Sequence, residues 1–85
     1  MVRVVLPSLL AAQAQGRQRF EMEAETVGDA LRALPVADLV LNERGELRRY
    51  VNVYVDGTDA RDRGALACGL TGAQEVRVVA MLSGG

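Results

Sequence analysis

The 85-residue chain contains no histidine, no lysine and a single cysteine, Cys68. A zinc site or a histidine-dependent catalytic centre would lack most of its usual residues, and one cysteine cannot close a disulfide within the chain. No apolar run approaches the roughly 20 residues that cross a bilayer. The first residues carry no charged segment followed by a long apolar core. We therefore expect no metal site, no membrane span and no secretory signal, and we expect a cytoplasmic protein.

The ten basic residues are all arginine and are matched by eleven carboxylates, which gives a net charge of −1. This balance is a poor match for the phosphates of nucleic acid. Genomic composition bias explains the absence of lysine, but in any case no side-chain amine can accept an isopeptide bond. The apolar share of 49% and the charged share of 25% are typical of one globular domain. A conventional small enzyme is not expected.

The first half of the chain predicts two paired strands and a helix. Apolar and polar residues alternate in Met1–Leu6 and again in Arg17–Ala24. This period of two favours an antiparallel pair of half-buried strands. Thr26 and Asp29 then resemble a capping box before an apolar stripe at helical spacing, and Pro35 ends the predicted helix.

The second half predicts two further strands that complete a sheet. Arg48–Val55 is rich in β-branched and aromatic residues, and Asp56-Gly57 after it is a hairpin-type turn. Residues 58–74 are expected to be irregular, and Glu75–Leu82 is expected to form the closing strand. The resulting order of elements predicts an α+β roll, in which one main helix packs across a mixed sheet.

The sequence ends in two consecutive glycines, Gly84 and Gly85, directly after the predicted closing strand. We assign residues 1–82 to one folded domain and residues 83–85 to a flexible tail. A flexible or truncated end is one interpretation of these glycines, and a projecting arm is the other. Glycine lacks a β-carbon, so such an arm could enter a narrow channel. The four residues Leu82–Gly85 would reach at most about 13 Å when extended.

A terminal carboxylate on such an arm is a poor electrophile until it is activated. When it is joined to AMP it becomes an acyl adenylate, which a sulfur or nitrogen nucleophile can attack. In that reaction the chain would contribute no catalytic side chain. It would be a protein substrate that carries its reacting group at the end of the tail, and not an enzyme.

Residues 49–61, with the sequence RYVNVYVDGTDAR, resemble a stretch of the small ubiquitin-like sulfur carriers of the MoaD/ThiS type. The ending Leu82-Ser83-Gly84-Gly85 is similar to the tail of these proteins, and the order of elements matches over nearly the whole chain. Asp56 and Ala60 depart from the pattern, where the family has asparagine and valine. ThiS-type members usually lack the central block, so the resemblance is closest to the MoaD-like and CysO-like branch. It implies a ubiquitin-like β-grasp fold for the domain of residues 1–82.

The resemblance also implies a reaction cycle with several partners. A ThiF/MoeB-like adenylating enzyme would use Mg-ATP to activate Gly85, while Ser83 and Gly84 allow a slim passage into its active site. A sulfur donor would convert the adenylate to a C-terminal thiocarboxylate. A sulfur-accepting synthase would then move the sulfur into molybdopterin, cysteine or another sulfur-containing metabolite, and a desulfurising hydrolase is a further implied partner. Magnesium and ATP belong to the adenylating enzyme, so no bound cofactor is expected here.

Strand alternation predicts the face on which these partners would dock. If the valines of Val51–Val55 face the helix, then Tyr50, Asn52 and Tyr54 face outward. The expected docking residues are Val5, Tyr54, Val79 and Met81, with Arg3 and Arg77 at the rim. Aromatic, methionine and arginine side chains are enriched at interfaces. The alternative is a reversed register in one strand, which would place the tyrosines in the core.

Cys68, between Ala67 and Gly69, is interpreted as a small buried apolar residue and not as a nucleophile or persulfide carrier. The pair Arg48-Arg49 and the cluster Asp59–Arg63 are expected to be solvated surface. Two other functions stay open. The chain could be a protein modifier that joins the same activated tail to lysines of other proteins, or a non-catalytic ubiquitin-like interaction domain whose glycines are incidental.

Overall fold

A mixed sheet organises the residues that the computed structural model describes, which are 1–72 and 75–80. The elements in chain order are β1 (Val2–Val5), α1 (Ser8–Gln13), β2 (Arg19–Met22), α2 (Val27–Arg32), α3 (Ala37–Val40), β3 (Val51–Val55), β4 (Thr58–Asp59), two 3₁₀ turns (Ala60–Arg63 and Ala65–Ala67) and β5 (Glu75–Ala80). The strand order across the sheet is β2-β1-β5-β3-β4. The central pair β1 and β5 is parallel and the other pairs are antiparallel. This is the α+β roll that the sequence predicts.

The two N-terminal strands pair as their alternation predicts. Val4 in β1 is fully buried, while its neighbour Arg3 is exposed. In β2 the ring of Phe20 is buried and Arg19 is exposed. The antiparallel register sets Val4 opposite Phe20. The inward side chains of both strands therefore lie on the same side of the sheet.

Helix α2 begins where the capping pattern predicts. The Thr26 Oγ1 atom accepts a hydrogen bond from the backbone N–H of Asp29 at 3.2 Å, which satisfies one of the free donors of the first turn. Leu31 on the apolar stripe is fully buried against the sheet. Gly28 allows a close approach of the second 3₁₀ turn, because a Cβ atom at this position would lie 3.2 Å from the carbonyl oxygen of Leu66.

The third strand begins later than the prediction of Arg48–Val55, at Val51. The Arg48 guanidinium donates from Nε and Nη2 to the carbonyl oxygen of Asp38, at 3.2 and 2.9 Å. The Tyr50 hydroxyl donates to the carbonyl oxygen of Leu39 at 3.3 Å. These bonds hold residues 48–50 against α3, so these residues do not enter the strand ladder.

The segment after β3 is more regular than predicted. Asp56 and Gly57 have φ values of +48° and +87°, as a primed two-residue hairpin turn requires. This turn leads into β4, a short strand within the segment that the sequence analysis treated as irregular. Asp59 then caps the first 3₁₀ turn, because its Oδ1 atom accepts from the backbone N–H of Arg61 at 2.9 Å.

The core lies between the sheet and the helices and is built largely from valine and leucine. Its fully buried large side chains are Leu6, Leu31, Val4, Val27, Val36, Val40, Val51, Val53, Val55, Val76 and Val78. The buried valines of three strands are on the sheet face that α2 covers: Val2 and Val4 of β1, Val51, Val53 and Val55 of β3, and Val76 and Val78 of β5. The opposite face of these strands therefore holds the alternate residues.

Asn52 is a buried polar residue on the sheet face turned away from α2. Its side chain is 8% exposed, and its Oδ1 atom has no hydrogen-bond partner among residues 1–72 and 75–80. Asn52 was predicted to face outward, and it lies on that face, but solvent does not reach it. Val79 of β5 pairs directly with Asn52. Tyr54 is two residues after Asn52 in β3, and Tyr50 is two residues before it, just outside the strand. A buried acceptor without a partner costs roughly 1–3 kcal/mol.

The cap of α2 is tested by the pair of variants Thr26→Ala and Thr26→Ser. Thr26→Ala removes the oxygen that accepts from the Asp29 N–H, so the free energy of unfolding should fall by about 1 kcal/mol. Thr26→Ser keeps the acceptor and should lose less than half of that. Urea denaturation followed by circular dichroism measures both values. An equal loss in the two variants would show that the hydroxyl is not the stabilising group.

The unpaired oxygen of Asn52 is tested by Asn52→Leu. This variant removes the unsatisfied acceptor and keeps the number of side-chain heavy atoms and their branching, so the free energy of unfolding should rise by about 1 kcal/mol. Asn42→Leu is the matched control, because Asn42 Oδ1 accepts from the backbone N–H groups of Arg44 and Glu46 at 2.9 and 3.0 Å. That variant should be less stable than wild type. A loss of stability in Asn52→Leu, measured in the same urea experiment, contradicts our interpretation.

Candidate functional site

The sheet face turned away from α2 carries the candidate site, and we call it the outer face. From β2 to β3 it consists of Arg19, Glu21, Arg3, Val5, Glu75, Arg77, Val79, Asn52 and Tyr54. These positions alternate with the core residues of the same strands, as the pleat of a sheet requires. All of them except Asn52 are exposed or half-buried. The outer face therefore offers both apolar and charged side chains to a partner.

The structure brings five predicted docking residues together on this face. Arg77 lies between Val5 on β1 and Tyr54 on β3 in the strand register. Val79 is two residues further along β5, and Arg3 is two residues back along β1. Val5, Tyr54 and Val79 are half-buried, whereas both arginines are exposed. Arg77 therefore lies among the apolar residues and not at their rim as predicted, whereas Arg3 lies at the edge of the group.

The alternative in which a reversed register buries the tyrosines is wrong. Val51, Val53 and Val55 are each 1% exposed or less and belong to the core. Tyr54 is half-buried on the outer face, and Tyr50 is 38% exposed. The alternation of β3 therefore runs in the direction that the sequence analysis preferred.

The predicted tail residues Ser83, Gly84 and Gly85 lie outside the described residues, and so does the predicted docking residue Met81. The described part of β5 ends at Ala80, which pairs with Val51. The pairing with β1 extends only over residues 75–77 of β5. From there the strand continues along β3, beyond the end of β1. The described part of β5 thus ends next to the outer-face residues Val79 and Asn52.

Arg19 belongs to the outer face although the sequence analysis did not select it. It lies directly opposite Val5 in the pairing of β1 with β2, and its side chain is exposed. Arg19, Val5 and Arg77 line one groove on this face. The alternation that buries Phe20, combined with the predicted pairing of the two strands, is the signal that could have identified Arg19.

One ion pair lies on the outer face, between the Arg77 Nε atom and the Glu75 Oε1 atom at 3.2 Å. The two side chains are 56% and 34% exposed, so water and salt screen their attraction. Exposed pairs of this kind contribute at most about 1 kcal/mol. The pair therefore leaves Arg77 available to a competing carboxylate.

The structure also shows the surroundings of Cys68 and of the arginine pair Arg48-Arg49. Cys68 is 3% exposed within the core, and its Sγ atom donates to the carbonyl oxygen of Gly69 at 3.6 Å, which confirms a buried apolar role. Arg49 is exposed as expected. The expectation of solvated surface is wrong for Arg48, because its guanidinium is half-buried and bonded to Asp38.

The described ranges 1–72 and 75–80 hold no group of three or more His, Cys, Asp and Glu side chains arranged to bind a metal ion. In the same ranges, no helix has the length and apolar character needed to cross a membrane.

Comparison with known proteins identifies relatives along the whole chain, although no family model matches the sequence. The sulfur carrier protein CysO of Mycobacterium tuberculosis is 28% identical over an alignment of 91 positions, gaps included. The alignment covers 99% of this chain and 98% of that protein. The crystal structure of Mycobacterium tuberculosis CysO matches with a TM-score of 0.85 at 24% identity, over 96% of this chain and 100% of its own. It shares the ubiquitin-like β-grasp fold.

Two further solved structures support the same relationship. SAMP1 from Haloferax volcanii is 32% identical over 99% of this chain and 98% of its own, with a TM-score of 0.75. A chain of the BexX/CysO complex of Amycolatopsis orientalis is 26% identical over 100% of both chains, with a TM-score of 0.81, and that CysO assembles with another protein. The relatives are small ubiquitin-like carriers and not catalytic enzymes. Full-length similarity and a shared β-grasp fold show that this chain belongs to the MoaD/ThiS-type family of ubiquitin-like sulfur carriers, in its CysO branch.

Proposed function

We propose that a partner enzyme adenylates the C-terminal carboxylate of Gly85, which is then converted to a thiocarboxylate that donates sulfur in biosynthesis. The observation that carries this proposal is the Gly84-Gly85 ending beyond β5, in a chain that belongs to a sulfur carrier family. The folded body provides the surface that partners bind. The tail provides the atom that reacts.

The position of β5 supports this division of roles. β5 is the central strand of the sheet, and its described end has a fixed position beside the outer face because Val79 and Ala80 pair with Asn52 and Val51 of β3. Five residues follow Ala80, and five extended residues span at most about 18 Å. We propose that Ser83, Gly84 and Gly85 form a flexible tail that enters the active site of the partner, because glycine fits a channel too narrow for a side chain.

The proposed reaction balances without an oxidant or a reductant when the sulfur donor supplies sulfide. A carboxylate oxygen of Gly85 attacks the α-phosphorus of ATP, pyrophosphate leaves, and the acyl adenylate forms. Sulfide then attacks the carbonyl carbon, AMP leaves with the bridging oxygen, and loss of the sulfur-bound proton gives the thiocarboxylate. The partner enzyme holds the magnesium and the ATP, while this chain needs no cofactor of its own.

We propose that the partners dock on the outer face beside the tail. The contact residues are Val5, Tyr54, Val79 and Met81, with Arg77 between Val5 and Tyr54 and Arg3 at the rim. Covering the half-buried apolar side chains removes their remaining surface from water, at about 25 cal/mol per Å². Tyrosine and arginine are frequent anchors of such interfaces. An enzyme that covers this face lies next to the described end of β5. The C-terminal carboxylate of Gly85 is then within reach of the enzyme's active site.

The partners in this scheme are a ThiF/MoeB-like adenylating enzyme, a sulfur donor, a sulfur-accepting synthase and a desulfurising hydrolase. We place the reaction in the cytoplasm, where ATP is supplied. The sulfur would pass to molybdopterin, cysteine or another sulfur-containing metabolite.

Intact-mass spectrometry tests the proposed chemistry. After incubation with ATP, sulfide and a ThiF/MoeB-like adenylating enzyme, we expect a mass increase equal to the replacement of one oxygen by sulfur, located in the C-terminal peptide. A chain truncated after Ser83 retains every described residue and should stay unmodified. If the full-length chain also stays unmodified while the enzyme converts its own carrier, the proposal is wrong.

Protein modification is a second candidate, and the similarity to SAMP1, a small archaeal modifier protein, favours it. Both functions begin with the adenylate and differ in the nucleophile that follows. Sulfide gives the thiocarboxylate, whereas a lysine amine of another protein gives an isopeptide bond. Mass spectrometry of a cell extract with the activated chain separates them, because Gly85 remnants on lysines appear only with the modifier. An extract with neither product indicates a non-catalytic interaction domain.

The docking face is tested by Val79→Asp. Burying a new carboxylate under the docked enzyme should raise the KM for this chain in the adenylation reaction by about tenfold or more, with kcat nearly unchanged. ATP–pyrophosphate exchange at varied carrier concentration measures both constants. Ala33→Asp adds the same charge at an exposed alanine at the end of α2, which covers the opposite face of the sheet, and should leave KM within twofold of wild type. A wild-type KM for folded Val79→Asp would place the docking surface elsewhere.

A further inference from the structure

The outer face is charged unevenly along the direction of its strands. The strand register arranges its side chains in three cross-strand rows: Glu21–Arg3–Glu75, then Arg19–Val5–Arg77–Tyr54, then Val79–Asn52 beside the end of described β5. In the first row two glutamates flank one arginine. In the second, which we call the arginine row, two arginines flank one valine. Although the net charge of the chain is only −1, the first row of this face is therefore mainly acidic and the arginine row is basic.

The two arginines of the arginine row are placed to act together. Arg19 and Arg77 stand on the strands either side of β1, and neighbouring strands are about 4.8 Å apart, so their Cα atoms are about 10 Å apart. Both side chains are exposed, and they line one groove with the half-buried Val5 between them. Arg3 and Glu75 also line this groove, so the two cations of the arginine row adjoin the charged side chains of the first row.

Both guanidinium groups have donors left for a partner. The ion pair of Arg77 with Glu75 uses the Nε donor, one of the five N–H donors of a guanidinium. Arg19 makes no ion pair with any residue in the described part of the chain. By contrast, Arg3 in the first row lies directly between Glu21 and Glu75, which balance its charge. Positive charge is therefore concentrated in the arginine row.

We propose that the arginine row binds an acidic segment of the adenylating partner, with one carboxylate on Arg19, one on Arg77 and the backbone of the segment over Val5. This assignment rests on the proposed function for the identity of the partner. Carboxylates fit the planar guanidinium fork in a bidentate geometry. Alternate side chains of an extended segment are about 7 Å apart, a spacing that two flexible arginine side chains can reach from their positions about 10 Å apart.

The different charges of the first row and the arginine row also determine where on the outer face such a segment binds. The two glutamates of the first row repel an acidic segment, while the arginine row attracts it. The preferred position therefore lies toward the end of β5 and away from the N-terminus. In this position the partner also covers Val79, beside the described end of β5.

A peptide titration tests the proposal without any enzymatic step. The probe is acetyl-hexaglutamate amide, added to isotope-labelled protein at low salt and followed by ¹H–¹⁵N NMR. We expect shift changes that are largest at the amides of Val5, Arg19 and Arg77. Charge reversal by Arg19→Glu should raise the Kd about tenfold, since it replaces an attraction by a repulsion. Arg63→Glu makes the same change at an exposed arginine of the first 3₁₀ turn and should keep the Kd within twofold.

The adenylation reaction provides the second readout. Arg19→Glu should raise the KM for the carrier about tenfold in low salt with kcat unchanged, and 0.5 M sodium chloride should reduce this difference because salt screens exposed charges. Equal constants for Arg19→Glu and wild type in both experiments, or an equal effect of Arg63→Glu, would overturn the proposal. If hexaglutamate binds as expected but no adenylate forms, then the proposed function has failed and the acidic-segment site stands.

Discussion

The pairing of β5 with β1 on one side and β3 on the other is the interaction on which the rest of this structure depends. Parallel strands such as β1 and β5 cannot be joined by a tight turn, so the chain between them must cross over the sheet. That crossover contains α2 and α3, which cover the face formed by the buried valines of β1, β3 and β5. The alternate residues of these strands form the outer face, and β5, the last described strand, is the middle strand of the sheet.

The proposed function assigns the chemistry of the carrier and its recognition to different parts of the chain. In that proposal the reacting group is the C-terminal carboxylate of Gly85, and no side chain of this chain takes part in catalysis. Recognition is assigned to the outer face, where residues from four strands meet around Arg77. The described end of β5 lies at this face, since Ala80 pairs with Val51 of β3, so a partner bound there would lie close to it.

Local patterns explain which parts of the fold could be predicted from the sequence. The alternation of β1 and β2 and the cap formed by Thr26 depend on residues that are close in sequence, and they are found as expected. The predicted start of β3 at Arg48 was wrong, because the side chains of Arg48 and Tyr50 donate hydrogen bonds to carbonyl groups of α3. The burial of Asn52 depends on Val79, which is distant in sequence. Such long-range contacts leave little trace in a local pattern.

By itself, the sequence determined the slim glycine ending, the carrier resemblance and the direction in which each strand alternates, because these depend on single residues and their near neighbours. The tertiary structure alone decided that Arg19 and Arg77 flank Val5, while Arg3 lies between Glu21 and Glu75. The reason is that the register between strands is set by backbone pairing across long stretches of chain. A shift of one residue in that pairing would exchange the two faces.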